Sequence, residues 1–137
     1  MSSIHSAAIH LLRRVRVVDQ EMAITPARAS ALSVLVFGGS QTLTELAQAE
    51  QVTTATMSRL VAAMEAEGLV RREPHEEDAR SMRLHATAKA KRMLERGRAR
   101  REQELERLFE QLSAAERATV DRAAAIIERC LAASSVS

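Results

Sequence analysis

Residues 42–70 read TLTELAQAEQVTTATMSRLVAAMEAEGLV, and this stretch decides the fold. Thr42-Leu43-Thr44-Glu45 carries a capping box in which either threonine can be the cap, so a helix opens into Leu46-Ala47-Gln48-Ala49-Glu50. That helix is short and ends near Gln51-Val52. Thr53-Thr54 then caps a second helix at once. It runs through Glu67, with Met57, Leu60, Val61 and Met64 along one stripe, and Gly68 stands where a left-handed cap ends a helix. Two helices joined by a tight turn, the second longer and opened by hydroxyl residues, form a helix-turn-helix pattern.

Working outward, Leu69-Val70-Arg71-Arg72 suits a strand and the alternating Met82-Arg83-Leu84-His85 suits its partner. Glu73 to Ser81 between them is polar, carries Pro74 and reads as the hairpin tip, so the pair is a wing. Thr87 caps a long helix expected over 88–111, with Gly97 its one weak point and Leu105, Leu108 and Leu112 on one side. Ser113-Ala114-Ala115-Glu116 is a capping box that opens a last helix to about Ala133, striped by Val120, Ala123, Ala124, Ile127 and Leu131. Upstream, Ile4, Ala8, Leu11, Val15, Val18 and Met22 recur at spacings of three and four, which marks an amphipathic helix. Thr25-Pro26 restarts the chain as an N-cap and first helical position, and that helix meets Gly38-Gly39, where a left-handed cap is expected.

The 137 residues suffice for one domain. At 46% hydrophobic and 28% charged, with four Gly and two Pro, the chain is too apolar for disorder and too poor in breakers for a loop-rich fold. No long uncharged run spans a membrane, and Arg13, Arg14 and Arg16 interrupt the one apolar N-terminal stretch, so a soluble, cytoplasmic chain is expected. One cysteine excludes an intramolecular disulfide framework. With Phe37 and Phe109 the only aromatics, single-strand binding by base stacking is disfavoured. The net charge of +2 hides a segregation: residues 1–50 are neutral, 51–101 carry +5 and 102–137 carry −3. A basic middle suggests a local polyanion-binding face. No Gly-rich phosphate loop, nucleophile–base motif or metal-ligand spacing is present, so neither an enzyme nor a cofactor or metal site is expected. Cys130, near the stripe of the last helix, is expected to be a free buried thiol.

The order of these elements resembles the MarR family of winged-helix regulators. The residues that carry the resemblance are Leu43-Thr44-Glu45-Leu46-Ala47, Thr56-Met57-Ser58-Arg59-Leu60-Val61, Met64-Glu65-Ala66-Glu67-Gly68-Leu69-Val70, the wing's Asp78-Ala79-Arg80, and Thr87. The family's wing continues to Leu-Thr and a Gly where this chain has Ala86-Thr87 and Ala90. The resemblance implies a mainly α fold with a small β-wing (α+β, winged helix-turn-helix), whose N- and C-terminal helices form a dimerisation bundle. One compact domain is expected, in three regions: 1–24 for dimerisation, 25–87 for the DNA-binding winged helix, and 88–137 for the connecting and C-terminal dimerisation helices. The implied function is a homodimeric, double-stranded DNA-binding transcription regulator, a repressor that reads a pseudo-palindromic operator and is released by a small ligand.

The expected DNA contacts are Thr53, Thr54, Thr56, Ser58 and Arg59 on the recognition helix, with Arg71, Arg72 and Arg83 as phosphate contacts. The Arg59 fork suits guanine O6 and N7, and its alternative is an ion pair with a glutamate such as Glu65. By resemblance Arg80 enters the minor groove and Asp78 holds its guanidinium. Glu73, Glu76, Glu77 and Asp78 sit awkwardly beside a polyanion and must point away or offset basic residues. The dimer interface is expected at Ile4, Leu11, Val15, Leu108, Leu112, Val120, Ile127 and Leu131. The family's effectors, aromatic or phenolic acids, imply a cleft with Met22 and one of Arg13, Arg14 or Arg16. The rival function is a winged-helix protein-interaction module, which has no need of a basic 51–101 segment with Arg59 and Arg80.

Overall fold

The computed structural model describes residues 1–21, 24–74, 77 and 81–134. Asp78, Arg80 and Met22, singled out above, lie outside the described residues. The chain divides into two compact units, 1–102 and 103–137, and the helix α5 runs across the division.

The first unit holds α1 (Ser2–Glu21), α2 (Pro26–Gly38), α3 (Leu43–Ala49), α4 (Thr54–Ala66), β1 (Val70–Pro74), β2 (Met82–Ala86) and the start of α5 (Ala88–Leu108). Helices α2 to α5 each begin where a side-chain oxygen takes an orphan backbone N–H. Thr25 Oγ1 accepts from Arg28 N at 3.3 Å, with Pro26 at the first helical position. At α3 the choice falls on Thr42: its hydroxyl accepts from Glu45 N at 3.2 Å, and the Glu45 carboxylate accepts from Thr42 N at 3.3 Å. Thr53 Oγ1 accepts from Thr56 N at 3.1 Å to open α4.

The end of α2 differs from the expected left-handed cap. Gly38 is the last helical residue, and Gly39 takes φ +80° and ψ −174°, a region essentially restricted to glycine. The ladder of the wing also runs further than the polar tip suggested. Glu73 pairs with Arg83 and Pro74 with Met82, so β1 reaches Pro74, which sits at the strand's end where a missing donor costs little. Gln41 adds a single-residue third strand, exchanging backbone bonds of 3.2 and 2.7 Å with Leu84.

The core is built from α2 (Ala31, Leu32, Leu35), α3 (Leu46, Ala47), α4 (Met57, Val61, Met64), the wing (Leu69, Val70, Leu84) and Ala90. Met57, Val61 and Met64 are fully buried, which fixes the rotation of α4 about its axis and decides which face it shows to solvent. Full burial of a side chain such as Met57 stabilises the fold by about 1.5–3 kcal/mol. Of the α1 stripe only Val18 is buried. The end of α1 is tied to α5 by Asp19–Arg101 at 2.8 Å and Glu21–Arg100 at 3.2 Å.

In the second unit α5 ends at Leu108, three residues before the expected 111. Backbone bonds from Glu110 N to Arg107 O and from Leu112 N to Phe109 O, each spanning three residues, tighten the chain there. Ser113 and Glu116 then form the expected capping box, at 3.1 and 2.9 Å, and open α6 (Ala114–Ser134). Arg117 Nη1 donates to both Glu106 carboxylate oxygens, at 3.1 and 2.9 Å. None of the described α6 residues is buried. Cys130 is therefore exposed, not the buried thiol expected: the apolar stripe beside it is itself unburied. Among the described residues no helix is long and apolar enough to cross a membrane.

Candidate nucleic-acid interface

The core stripe of α4 turns Thr54, Ala55, Thr56, Arg59 and Ala62 outward as an exposed face, with Ser58 at its half-buried margin. Thr53 donates its hydroxyl proton to Thr56 Oγ1 at 3.0 Å while capping the helix, so these two hydroxyls are already engaged with each other. Among the described residues Arg59 has no hydrogen-bond or ion-pair partner. Glu65, its alternative partner, is instead 3.2 Å from Arg72 Nε. A guanidinium with no partner among the described residues thus stands on an outward helix face, six residues beyond the N-cap. Beside it lies an open, mainly apolar hollow of about 370 Å³, floored by Val52, Met57, Leu60 and Ala63.

The wing arginines differ from Arg59 in being occupied. The register places Arg71 opposite His85 and Glu73 opposite Arg83, and strand alternation puts these four on one face of the hairpin. Arg71 donates to Glu73 Oε1, and His85 Nε2 lies 3.6 Å from Glu73 Oε2. Arg83 Nη1 donates to Ser40 O at 3.1 Å and to Glu45 Oε2 at 3.4 Å, tying the wing to the start of α3. Arg72, on the other face, is held by Glu65. An open polar hollow of about 510 Å³ lies against Ser40, Glu73, Pro74, Arg83 and His85. Of the acidic residues that looked out of place beside a polyanion, Glu73 offsets basic ones, and Glu76 and Asp78 lie outside the described residues.

Thr87 is a positioning residue whose reach the sequence did not reveal. Its hydroxyl donates to Gly68 O at 2.7 Å and accepts from Ala90 N at 3.2 Å, and its own N–H donates to Leu69 O at 3.0 Å. It caps α5 and latches that helix to the end of α4 in one step. Lys89 Nζ adds a 2.7 Å bond to Glu67 O, a cation at a helix C-terminus. Arg28 Nη1 reaches Glu67 Oε1 at 2.5 Å from α2. Only the capping role of Thr87 had a local signal, since its partners are 18 and 19 residues away.

Arg13, Arg14 and Arg16 are exposed on α1. The small cavity among α1, α2 and α5, about 70 Å³, is lined by Asp19, Ile24, Ser33, Met93 and Arg101 and by none of those three arginines. It is far smaller than the roughly 300–1,000 Å³ of ordinary ligand pockets. Of the expected interface residues, Ile4, Leu11, Leu108, Val120, Ile127 and Leu131 are exposed, and Val15 and Leu112 are half-buried. Among the described residues no three His, Cys, Asp or Glu side chains gather as a metal site.

Comparison with known proteins agrees with this architecture. The MarR family model matches residues 24–82, from the start of α2 into the wing. An uncharacterized HTH-type transcriptional regulator of Mycobacterium leprae is 30% identical over 109 residues, covering 79% of this chain and 76% of that protein. A MarR family protein from Bacillus stearothermophilus superposes with a TM-score of 0.77 at 26% identity, covering 96% of this chain and 91% of the other. A variant of the S. aureus regulator MepR bound to an oligodeoxyribonucleotide shares the fold, with a TM-score of 0.75 at 19% identity over 95% and 96% of the chains. The chain belongs to the MarR family of winged helix-turn-helix, DNA-binding transcriptional regulators.

Proposed function

We propose that the protein is a homodimeric repressor that reads a pseudo-palindromic operator through α4 and is released from it by a small ligand. The observation that carries the reading is Arg59: a guanidinium with no partner among the described residues, on the exposed face of a helix whose rotation is fixed by three fully buried residues. Such a fork offers two parallel donors to guanine O6 and N7 in the major groove, with Thr54, Thr56 and Ser58 near base edges or phosphates. In this reading the wing arginines Arg71, Arg72 and Arg83 meet phosphates, and by resemblance to the family Arg80 is assigned the minor groove with Asp78 as its partner.

Dimerisation is supported by the apolar surface on α1 and α6. Ile4, Ile127 and Leu131 are 50%, 43% and 56% exposed, and a 21-residue helix with nothing buried has no reason to keep an apolar stripe unless a second copy covers it. A twofold axis then sets two copies of α4 about 34–36 Å apart, one turn of duplex, which is why the operator is palindromic. A ligand acting at the α1–α2–α5 junction has to widen the 70 Å³ cavity before it fits, so release couples ligand entry to movement of these helices.

The test is fluorescence anisotropy with duplex from upstream of the protein's own gene against a shuffled duplex, in a salt series, with stoichiometry from sedimentation. Two chains per site, selective binding and affinity that falls steeply with salt are expected. Equal binding to both duplexes refutes sequence-specific regulation. No binding to either at low salt refutes the DNA role and favours a protein-interaction module.

A further inference from the structure

On one face of the wing hairpin, an arginine and a histidine meet one carboxylate. Glu73 takes Arg71 on Oε1 and faces His85 on Oε2 at 3.6 Å, while Arg83, opposite it in the ladder, has turned to Ser40 and Glu45. The Arg71 and Glu73 side chains are 56% and 45% exposed, so their pair is open to exchange with ions in solution.

We propose that Glu73 competes with DNA phosphate for Arg71 and so lowers affinity for duplexes of every sequence. The inference rests on the reading of the wing as a DNA-contacting element. In the free protein the guanidinium is held by Glu73. On the duplex it moves to a phosphate, and Glu73 keeps His85 as its neighbour. A phosphate contact is the same for every sequence, so a carboxylate that must first be displaced weakens binding to all duplexes and leaves discrimination to the base contacts of α4.

The exchange has a signature in salt dependence. When Arg71 moves to a phosphate, a condensed counterion leaves the DNA, while the nearby Glu73 charge offsets part of the charge Arg71 brings to the phosphate. In Glu73→Gln that offset is gone, so the slope of log K against log salt steepens, by less than about 0.9. Affinity for a shuffled duplex rises roughly 2- to 10-fold at low salt, the range of an exposed pair plus one removed like charge.

The experiment measures a shuffled and a native upstream duplex across a salt series for wild type, Glu73→Gln, Arg71→Gln, the double variant and Glu128→Gln. The last removes one exposed carboxylate from α6, in the second unit. Expected are tighter binding and the steeper slope in Glu73→Gln, no selectivity gain, loss of both effects in the double variant, and wild-type behaviour in Glu128→Gln. The proposal is overturned if Glu73→Gln matches wild type, or if its gain survives without Arg71, since the effect is then charge removal alone. If wild type itself binds neither duplex at low salt, the DNA-contacting reading has failed instead, and the two failures are distinguishable.

Discussion

Helices α3 and α4 end in the same backbone motif with different residues at the critical position. After α4, Gly68 N–H donates to Glu65 O at 3.0 Å and Leu69 N–H to Met64 O at 2.8 Å. After α3, Gln51 N–H donates to Gln48 O at 3.2 Å and Val52 N–H to Ala47 O at 3.0 Å. Both are Schellman caps, and both put the residue after the cap in the left-handed region, Gly68 at φ +74° and Gln51 at φ +58°. A residue with a Cβ is about 1–2 kcal/mol worse off there. Glycine gives back about 0.5–1 kcal/mol through the larger entropy of the unfolded chain. The difference predicts that Gln51→Gly stabilises the protein by about 0.5–1 kcal/mol and that Gly68→Ala destabilises it by a similar amount. Sterics do not confuse the second case, because a Cβ on Gly68 meets only Lys89 Cδ at 3.9 Å, an ordinary contact. Urea unfolding at one fixed protein concentration reads both, as opposite shifts of the midpoint at an unchanged slope. If Gln51→Gly proves less stable than wild type, backbone strain at this turn is not what the residue costs, and the comparison of the two caps collapses.

Thr87→Val removes the cap of α5 and the bond to Gly68 and is expected to cost about 1–3 kcal/mol in thermal or urea unfolding, while Thr87→Ser retains most of the stability. Ile127→Asp places a charge on the exposed stripe of α6; sedimentation is expected to show monomers and anisotropy at least about a tenfold loss of DNA affinity, since a dimer cannot bury an unpaired carboxylate cheaply. The backbone N–H of Ser113 holds the Glu116 carboxyl below the usual carboxylate range. A folded-state value below the unfolded one contributes stability that is present above the ordinary carboxylate value and lost as pH falls through the lowered one. An acid titration of α6 helicity is therefore expected to show that loss in wild type and not in Glu116→Gln.

The capped elements were legible because their signals are local. Thr25-Pro26, Thr53, the Ser113/Glu116 box and Gly68 each announce a helix end within four residues, and the Met57/Val61/Met64 stripe announces its buried face. Where two threonines competed at α3, only the folded backbone could choose Thr42, because the choice depends on which N–H points at which hydroxyl. Gly39 defeated the cap expectation for a similar reason: glycine permits several positive-φ conformations, and sequence does not say which one the following Gln41–Leu84 bridge selects. The pairing of Arg71 with Glu73 follows from strand alternation once β1 is known to extend to Pro74, but the early assignment of Glu73 to the hairpin tip hid it. Arg83 reaching Ser40, and Thr87 reaching Gly68, join residues 43 and 19 positions apart and have no sequence signal. The exposure of Cys130 had no local signal, because burial depends on what packs against a helix and not on the stripe the helix carries.

In the proposed function α4 reads base pairs through Arg59. This is tested most directly by measuring wild type and Arg59→Ala against the operator and against operators with each guanine of a half-site replaced in turn. Wild type is expected to lose about 1–3 kcal/mol at one guanine per half-site, and Arg59→Ala to bind more weakly and show no preference at that position, with its thermal midpoint unchanged. A variant that keeps wild-type discrimination at every position contradicts the account.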